Sequence, residues 1–432
     1  MEQAVEYLLN LKFRPEEIAY LKTLRQFANV PAEFFDYVAN MRFTGDLYAV
    51  SEGTAIFPNE PIAIVRAPLL EAQLVETYLL TTFAYQTLVA SKAARCVLAT
   101  QGRPVVEFGS RRAHGPDAGI LAGRAAYLAG CTGTSNAEAG RRFGIPVFGT
   151  AAHSWTMAFP SEEESFRALQ QLLGESTIFL VDTYDTIEGT QLAVELGKPM
   201  WGVRLDSGDL VALARQVRRI LDDAGLREAK IFVTNDLNEY KVAEMVAAGA
   251  PIDAYGIGTQ LATSFDSPAL SAVYKMVELR RKGQVHYTAK FSDAKSTLPG
   301  AKQVFRFREH DVIALASECN ADYSGAEPLL RPVISHGELV EALPTLAQAR
   351  ARAEAAVAAL PAPLRSIDTV TPYRVQVGAQ LIQLAESIRS DLQLASQLKP
   401  FSSTLIRSSI SYIRQVRFMF PERKRSLPYW LN

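Results

Sequence analysis

The sequence predicts an α/β protein with an irregular (β/α) barrel-like domain and a second, smaller α+β domain built from the N- and C-terminal segments. Between residues 103 and 275, short apolar runs alternate with helical stretches, as in parallel strands joined by crossover helices. After residue 275 the pattern changes to short strands separated by polar turns. The chain has 432 residues, which is enough for two or three domains.

The composition excludes several classes of protein. Lys and Arg total 45 against 46 Asp and Glu, so no overall positive charge favours nucleic acid as a partner. Cys96, Cys131 and Cys319 have neither metal-ligand spacing nor a disulfide pattern, which favours a reducing compartment. The charged N-terminus is unlike a signal peptide, and no apolar run approaches the ~20 residues of a transmembrane helix. We therefore expect a cytoplasmic protein that holds no metal of its own and does not contact a membrane.

The N-terminal third of the chain mixes helices and strands. Residues 1–39 have apolar side chains at helical spacing, and Pro31 marks the start of a new helix. Residues 45–65 alternate between apolar and polar, with a turn at Gly53, which predicts strands. Residues 69–100 predict one or two long helices with small residues along one face.

The central region predicts at least six parallel strands, which favours a barrel or barrel-like arrangement. The strand-like runs are PVVEF, IPVFGT, TIFLV, PMWGVRL, KIFVT and IDAYGI. Short strands return after residue 275, and residues 345–359 form an Ala-rich amphipathic helix. The predicted division of the chain is an α+β domain of residues 1–102 and 276–384, a barrel-like catalytic domain of residues 103–275, and a C-terminal extension of residues 385–432.

Two arginines follow strand-like runs in the central region. In parallel α/β folds, the loops after the strands carry the chemistry, because the crossover helices start there. Arg111 and Arg204 lie at such ends, and a guanidinium binds carboxylate or phosphate in a bidentate way. The alternative for each arginine is a salt bridge to a neighbouring aspartate. Their joint placement favours an anionic, hydroxylated ligand.

Carboxylates and glycines occupy other predicted strand ends. Asp206 and Asp209 flank a tight turn, where they could accept hydrogen bonds from ribose or bind Mg²⁺ through water. Helix capping is the alternative, and it accounts for Asp209 better than for Asp206. Gly256, Gly258 and Thr259 follow the IDAY run, where glycines would let backbone N–H groups approach a phosphate. A simple strand–helix turn is the alternative there.

His153 follows a Gly-Thr turn and precedes an aromatic cluster. An imidazole in this place could act as a general base or accept a phosphoryl group, and it could equally be structural. The residue pattern alone leaves these alternatives open. No second histidine at helical spacing supports a metal site. His114 is expected to be mostly structural.

Together these segments resemble nicotinate phosphoribosyltransferases, a family of type II phosphoribosyltransferases in NAD salvage. The resemblance runs from about residue 1 to 380. Its most specific motifs are FGSRRAHGP (108–116), GTSN (133–136), GTAAHSW (149–155), LVDTYDT (180–186), GVRLDSGDL (202–210), NDLNEY (235–240) and GIGT…YK (256–275). The resemblance implies synthesis of nicotinate mononucleotide and pyrophosphate from nicotinate and phosphoribosyl pyrophosphate.

The resemblance also implies roles for individual residues. His153 would be phosphorylated by ATP, and Arg111 and Asp206 would complete the catalytic set. Mg²⁺ would be carried by the pyrophosphate and ATP. The implied substrate-binding residues are Phe108, which would stack on the pyridine ring; Thr150 and Arg204, which would line the nicotinate and phosphoribosyl pockets; Ser135 and Asn136 near the ribose; Gly258 and Thr259 at the 5′-phosphate; and Asp236 and Gly256.

Further expectations follow from the same resemblance. Family members form homodimers whose subunits share each active site, so a homodimer is expected. Family members also carry an N-terminal Thr-Asp-Leu-Tyr segment that would lie before Met1, so two alternatives stay open: the coding sequence starts further upstream, or the site is completed differently. The extension after residue 385 is outside the resemblance; a docking tail or a loosely packed helix would suit it. Two other functions are considered: a nicotinamide or other pyridine phosphoribosyltransferase, and a catalytically weak homologue that serves as a binding or assembly subunit.

Overall fold

The secondary structure alternates helices and strands through most of the chain. We analysed a computed structural model, which describes residues 1–291, 297–318 and 320–397. The helices are α1 (Glu2–Leu9), α2 (Pro15–Thr23), α3 (Ala32–Ala39), α4 (Leu69–Leu74), α5 (Glu76–Ala99), α6 (Pro116–Leu128), α7 (Ala137–Phe143), α8 (His153–Met157), α9 (Glu162–Leu173), α10 (Thr186–Leu196), α11 (Leu210–Asp223), α12 (Glu239–Ala247), α13 (Thr259–Ala262), α14 (Leu346–Ala359) and α15 (Ala379–Gln397).

The strands form one parallel sheet and several antiparallel ones. They are β1 (Asp46–Val50), β2 (Ala63–Arg66), β3 (Val105–Glu107), β4 (Gly133–Thr134), β5 (Ile178–Leu180), β6 (Gly202–Leu205), β7 (Lys230–Val233), β8 (Ala254–Ile257), β9 (Glu278–Arg281), β10 (Gln284–Tyr287), β11 (Lys302–Arg306), β12 (His310–Leu315), β13 (Glu327–Pro328), β14 (Leu330–Ser335), β15 (Glu338–Leu339) and β16 (Arg374–Val377).

A parallel sheet of six strands, in the order β4-β3-β8-β7-β6-β5, forms the centre of the molecule. Its strands are short apolar runs buried on both faces, as expected when helices cover a parallel sheet. This confirms the predicted α/β class. Among the described residues, no hydrogen-bonded pairing joins the edge strands β4 and β5, so the arrangement is an open curved sheet rather than a closed barrel.

One predicted strand is wrong. The run IPVFGT was expected to be a strand of the central sheet, but only Val147 makes an isolated bridge, to Thr134. Pro146 has no N–H to donate to a ladder, and residues 146–149 are exposed, so the run lacks the burial that sustains a central strand. The strand position beside β3 is filled instead by Gly133–Thr134.

The second part of the fold combines both ends of the chain. Strand β1 pairs with β2 on one side and with β14 on the other, in the order β15-β14-β1-β2. A second sheet has the order β13-β11-β12-β16, and β9 and β10 form a separate hairpin. The expectation that N- and C-terminal segments share an α+β unit is therefore confirmed. The exact domain boundaries stay a prediction.

Helix α15 continues across residue 385, where the extension was expected to start, and the basic stretch that follows lies outside the described residues. Within the described part of the chain, no helix is both long enough and apolar enough to cross a membrane.

Candidate active site

The candidate residues lie at the carboxyl edge of the central sheet. Phe108 follows β3, Ser135 follows β4, and Asp206 follows β6. Asp236 and Thr259 follow β7 and β8 in the same way. Because the carboxyl ends of parallel strands meet at one edge, residues that are far apart in sequence converge there, as predicted.

Arg204 is the centre of the best-connected part of the site. It lies on β6, and its guanidinium donates to three acceptors: Nη1 to Thr150 Oγ1 at 2.6 Å, Nε to Thr234 Oγ1 at 2.9 Å, and Nη2 to Asp206 Oδ1 at 3.1 Å. The side chain is 13% exposed. Its orientation is therefore fixed by three neighbours from different loops.

The two alternatives for Arg204 are both partly right. It pairs with a neighbouring aspartate, Asp206, as the salt-bridge alternative predicts. The same pair lies at the sheet edge with Thr150, which the resemblance places in the pocket. The salt bridge therefore orients the guanidinium at the candidate site instead of removing it from the site.

The Phe108 ring forms an apolar wall beside Arg204. The Arg204 guanidinium carbon lies 5.7 Å from its centroid, which is cation–π distance. The ring makes an edge contact with Phe232, with centroids 5.5 Å apart. Gly256 lies against these rings: a Cβ there would come within 2.8 Å of Phe232 Cζ and 3.1 Å of Phe108 Cδ2. Any larger residue at this position would displace the wall.

His153 is the first residue of α8 and faces the same network. Its Nδ1 lies 3.2 Å from Thr183 Oγ1, and its Nε2 lies 3.6 Å from Asp206 Oδ2. The imidazole is 37% exposed, so a solvent-borne reactant can reach it. A histidine with a hydroxyl at one nitrogen and a carboxylate at the other is suited to proton or phosphoryl transfer.

Asp182 holds the loop after β6. Its Oδ2 accepts the Asp206 backbone N–H at 3.0 Å and the Ser207 hydroxyl at 2.6 Å. Its Oδ1 is buried without a partner among the described residues. Burial, and then the charges of Asp182 and Asp185, raise the pKa of Glu162. This end of the site is therefore negatively charged.

Arg111 lies in the 3₁₀ turn Ser110–Arg112 and is exposed. Among the described residues its guanidinium makes no ion pair, so it is available to an anion. The neighbouring loop is tied to this turn, because Asn136 Nδ2 donates to Ser110 Oγ at 3.0 Å. Asn136 also caps α7 by accepting the Ala139 N–H. The Ser135 side chain is exposed beside them.

The loop after β7 has an unusual backbone. Asn235 has a φ of +110°, a conformation that costs energy for a residue other than glycine. The next residue, Asp236, is exposed, and its carbonyl accepts from Lys241 Nζ at 2.7 Å. Among the described residues, neither Asp236 nor Thr259 has a side-chain contact with the Arg204 network.

The structure also shows the surroundings of Asp209, of His114 and of possible metal ligands. Asp209 Oδ1 accepts the Ala212 N–H at 3.1 Å, so it caps α11, as predicted. His114 is exposed in the loop before α6. Within residues 1–291, 297–318 and 320–397, no group of three or more His, Cys, Asp or Glu side chains is arranged to hold a metal ion.

Asp182, Thr183 and Thr234 position the predicted site residues, although the sequence analysis gives them no role of their own. The sequence does place all three at strand ends, and the structure puts them after strands β5 and β7. Nothing in the sequence shows which hydroxyl meets which partner.

Models of one family match most of the chain. They are described as the nicotinate phosphoribosyltransferase N-terminal domain over residues 1–84, the nicotinate phosphoribosyltransferase family over residues 104–309, and its C-terminal domain over residues 305–385. These ranges include every candidate residue.

Two relatives and two solved structures agree with this match. A nicotinate phosphoribosyltransferase of Mycobacterium tuberculosis is 45% identical over 88% of this chain and 83% of its own. One of Bacillus subtilis is 42% identical over 74% of this chain and 67% of its own. The crystal structure of human nicotinic acid phosphoribosyltransferase matches with a TM-score of 0.75 at 27% identity, covering 90% of this chain and 91% of that one. A nicotinate-nucleotide pyrophosphorylase from Pyrococcus furiosus matches with a TM-score of 0.64 at 28% identity, covering 73% and 81%.

The open parallel sheet with an arginine-rich carboxyl edge defines an α/β protein with a candidate site for anions. The chain belongs to the nicotinate phosphoribosyltransferase family.

Proposed function

We propose that this protein transfers the phosphoribosyl group of phosphoribosyl pyrophosphate to nicotinate, forming nicotinate mononucleotide and pyrophosphate in NAD salvage. The observation that carries the proposal is Arg204, which three acceptors hold beside the Phe108 ring. An aromatic wall next to a fixed guanidinium suits a flat ring that bears a carboxylate. The names of the relatives support the same substrate.

The reaction needs positioning more than proton transfer. The pyridine nitrogen attacks the anomeric carbon while the bond to pyrophosphate breaks, and positive charge develops on the ribose. Orientation of the two reactants and stabilisation of the leaving anion are the main sources of rate. Arg111 is exposed and makes no ion pair with the residues that the structure describes, so it is the residue we assign to the leaving pyrophosphate. Asp206 lies where it can accept from the ribose hydroxyls.

The remaining assigned residues surround the donor. Ser135 and Asn136 face the ribose, and Gly258 and Thr259 face the 5′-phosphate. Gly258 has no side chain to shield its backbone, which supports an approach of the phosphate to that turn. Asp236 lies at the next strand end. Mg²⁺ enters with the phosphates: the carboxylates of Asp182 and Asp206 fit a hydrated ion, and the described residues supply no closed set of ligands.

ATP coupling through His153 belongs to the same proposal. An unprotonated imidazole nitrogen attacks the γ-phosphorus of ATP, the bond to ADP breaks, and hydrolysis of the phosphohistidine later releases phosphate. The contacts with Thr183 and Asp206 support this role, because they hold the ring at the sheet edge and direct it. Phosphorylation would place a dianion next to Asp206, so the charge balance of the site would change with each turnover.

The decisive experiment measures product formation with nicotinate and with nicotinamide, each with and without ATP. We expect nicotinate mononucleotide, stimulated by ATP, and acid-labile label from γ-labelled ATP on the wild-type protein. His153→Ala should remove the label, and His114→Ala, which changes an exposed histidine in a nearby loop, should keep it. Faster turnover of nicotinamide would favour a nicotinamide phosphoribosyltransferase. Folded protein without any turnover would favour a binding or assembly subunit.

We further propose a cytoplasmic homodimer. Large apolar side chains beside the site are exposed, including Val147, Phe148, Met157 and Tyr184. Exposed apolar groups of this kind support coverage by a second copy. Light scattering coupled to size-exclusion chromatography should give twice the mass of the chain, and a monomer at micromolar concentration would exclude this part of the proposal.

A further inference from the structure

Glu107 is a buried carboxylate that immediately precedes Phe108, and the sequence analysis does not select it. It is the last residue of β3 and has no exposed surface. Its Oε2 accepts from Thr134 Oγ1 at 2.6 Å, and its Oε1 accepts from the Gly109 backbone N–H. Both oxygens are therefore satisfied by neutral donors.

The charge of Glu107 has no cation to balance it among the described residues. Tyr85 on α5 and Cys131 before β4 lie close enough to sense it, and both are neutral at pH 7. Burial raises the pKa of Glu107, and the hydrogen bonds from Thr134 and Gly109 lower it in part. A buried carboxylate without a cation costs free energy that an apolar residue would not. A role in folding alone therefore accounts poorly for it.

The two donors belong to two different loops of the site. Gly109 opens the turn that carries Arg111, and this turn packs closely against α13, because a Cβ on Gly109 would collide with Ala262 Cβ. Thr134 ends β4, and its Oγ1 accepts the Asn136 backbone N–H at 3.0 Å. One carboxylate thus anchors the loop after β3 and the loop after β4 at the same time.

Two further hydrogen bonds join the loops after β3 and β4. The Ser135 N–H donates to the Glu107 carbonyl at 2.9 Å, and Asn136 Nδ2 donates to Ser110 Oγ at 3.0 Å. The two loops that carry the residues assigned to the ring, the pyrophosphate and the ribose are therefore joined by the backbone, by Asn136 and by the Glu107 carboxylate.

We infer that Glu107 is a positioning residue of the phosphoribosyl transfer, which holds the loops after β3 and β4 at the separation that the two substrates need. The inference rests on the proposed function for its kinetic consequence. The link between the loops is itself measurable without activity.

The test uses Thr134→Val, which keeps the shape but removes the hydroxyl, and Thr134→Ser as the matched control, which keeps the hydroxyl. Thr134→Val should lower kcat/KM for nicotinate by roughly 10- to 100-fold, because it removes a hydrogen bond to a charged group and leaves Oε2 unpartnered. Thr134→Ser should stay within about threefold of wild type. Glu107→Gln should show a loss at least as large as that of Thr134→Val.

A pH profile separates positioning from a merely structural effect. Protonation of Glu107 weakens it as an acceptor, so kcat/KM should fall at acid pH. Since the Thr134 hydroxyl lowers the pKa of Glu107, Thr134→Val should move this fall to higher pH, and Thr134→Ser should not. A general loss of stability would lower activity at every pH without moving the profile.

Amide hydrogen exchange gives a result that does not depend on catalysis. Thr134→Val and Glu107→Gln should speed exchange at residues 109–112 and 134–137, while α11 remains as protected as in wild type. If wild-type protein has no transferase activity but the exchange responds, the proposed function fails and the link between the loops stands. If exchange, kcat/KM and pH profile of Thr134→Val all equal those of wild type, the inference is overturned. If Glu107→Gln does not fold, Thr134→Val and its serine control decide.

Discussion

Arg204→Lys should lower kcat/KM for nicotinate by roughly 100-fold, although the positive charge is kept. The guanidinium donates through three different nitrogens to Thr150, Thr234 and Asp206. A lysine has one ammonium group at the end of a flexible chain, so it cannot reach three acceptors in these directions. The substitution therefore tests geometry and not charge.

The magnitude follows from the hydrogen bonds that are lost. An ammonium that keeps its contact with Asp206 loses those with Thr150 and Thr234. Each hydrogen bond to a charged group contributes about 1.5–3 kcal/mol, and rearrangement of the hydroxyls recovers part of it. A net loss of about 3 kcal/mol corresponds to a factor of roughly 150. The side chain is only 13% exposed, so water offers little compensation.

Steady-state kinetics at saturating phosphoribosyl pyrophosphate, with melting temperatures measured in parallel, would check this value. Arg218→Lys is the matched control. Arg218 lies on α11, outside the candidate site, and it also donates to three acceptors: Asp222, Leu226 and Ala229. It should cost similar stability and leave kcat/KM unchanged. Equal losses of activity in both variants, or less than a threefold loss in Arg204→Lys, would refute the reasoning.

Three further predictions concern other parts of the molecule. Burial, and then the neighbouring Asp311 carboxyl, raise the pKa of Glu60 to about 9. The stability of the protein should therefore fall as the pH rises from 4.5 to 9, and Glu60→Gln should flatten this fall when melting temperature is measured against pH. Glu239→Gln should lower the free energy of unfolding by about 3 kcal/mol in urea titrations, because the buried Lys92 and Arg95 both lose its negative charge and Asp266, 2.8 Å from Lys92, compensates only in part. Thr183→Val should slow labelling of His153 by ATP while shifting the melting temperature by less than about 4 °C; unchanged labelling would contradict it.

The strand positions and the edge that carries the site could be predicted from the sequence. Buried parallel strands are short apolar runs, and the residue after each run must lie at the carboxyl edge. This argument placed Phe108, Arg204 and Asp206 correctly. It failed for IPVFGT, since an apolar run shows neither which strand it pairs with nor whether it is buried.

The partners of the site residues could not be predicted, and the reason is physical. Hydrogen bonds such as Arg204–Thr150 and Glu107–Thr134 join residues 54 and 27 positions apart, and their geometry depends on how the loops fold. The residue type suggests what a side chain can donate or accept, but not to which neighbour. The buried carboxylate of Glu107 lies in the apolar run VVEF. The sequence did not reveal its burial, because a glutamate that ends a strand usually faces solvent.

Arg204 and Glu107 show two ways in which this fold holds charge at one sheet edge. Arg204 is balanced by Asp206, and it stays beside the Phe108 ring because Thr150 and Thr234 occupy its other donors. Glu107 has no such counter-charge in the described part of the chain, and its carboxylate accepts from two neutral groups, the Thr134 hydroxyl and the Gly109 N–H. The exposed Arg111, which makes no ion pair among the described residues, adds a second positive charge at the same sheet edge.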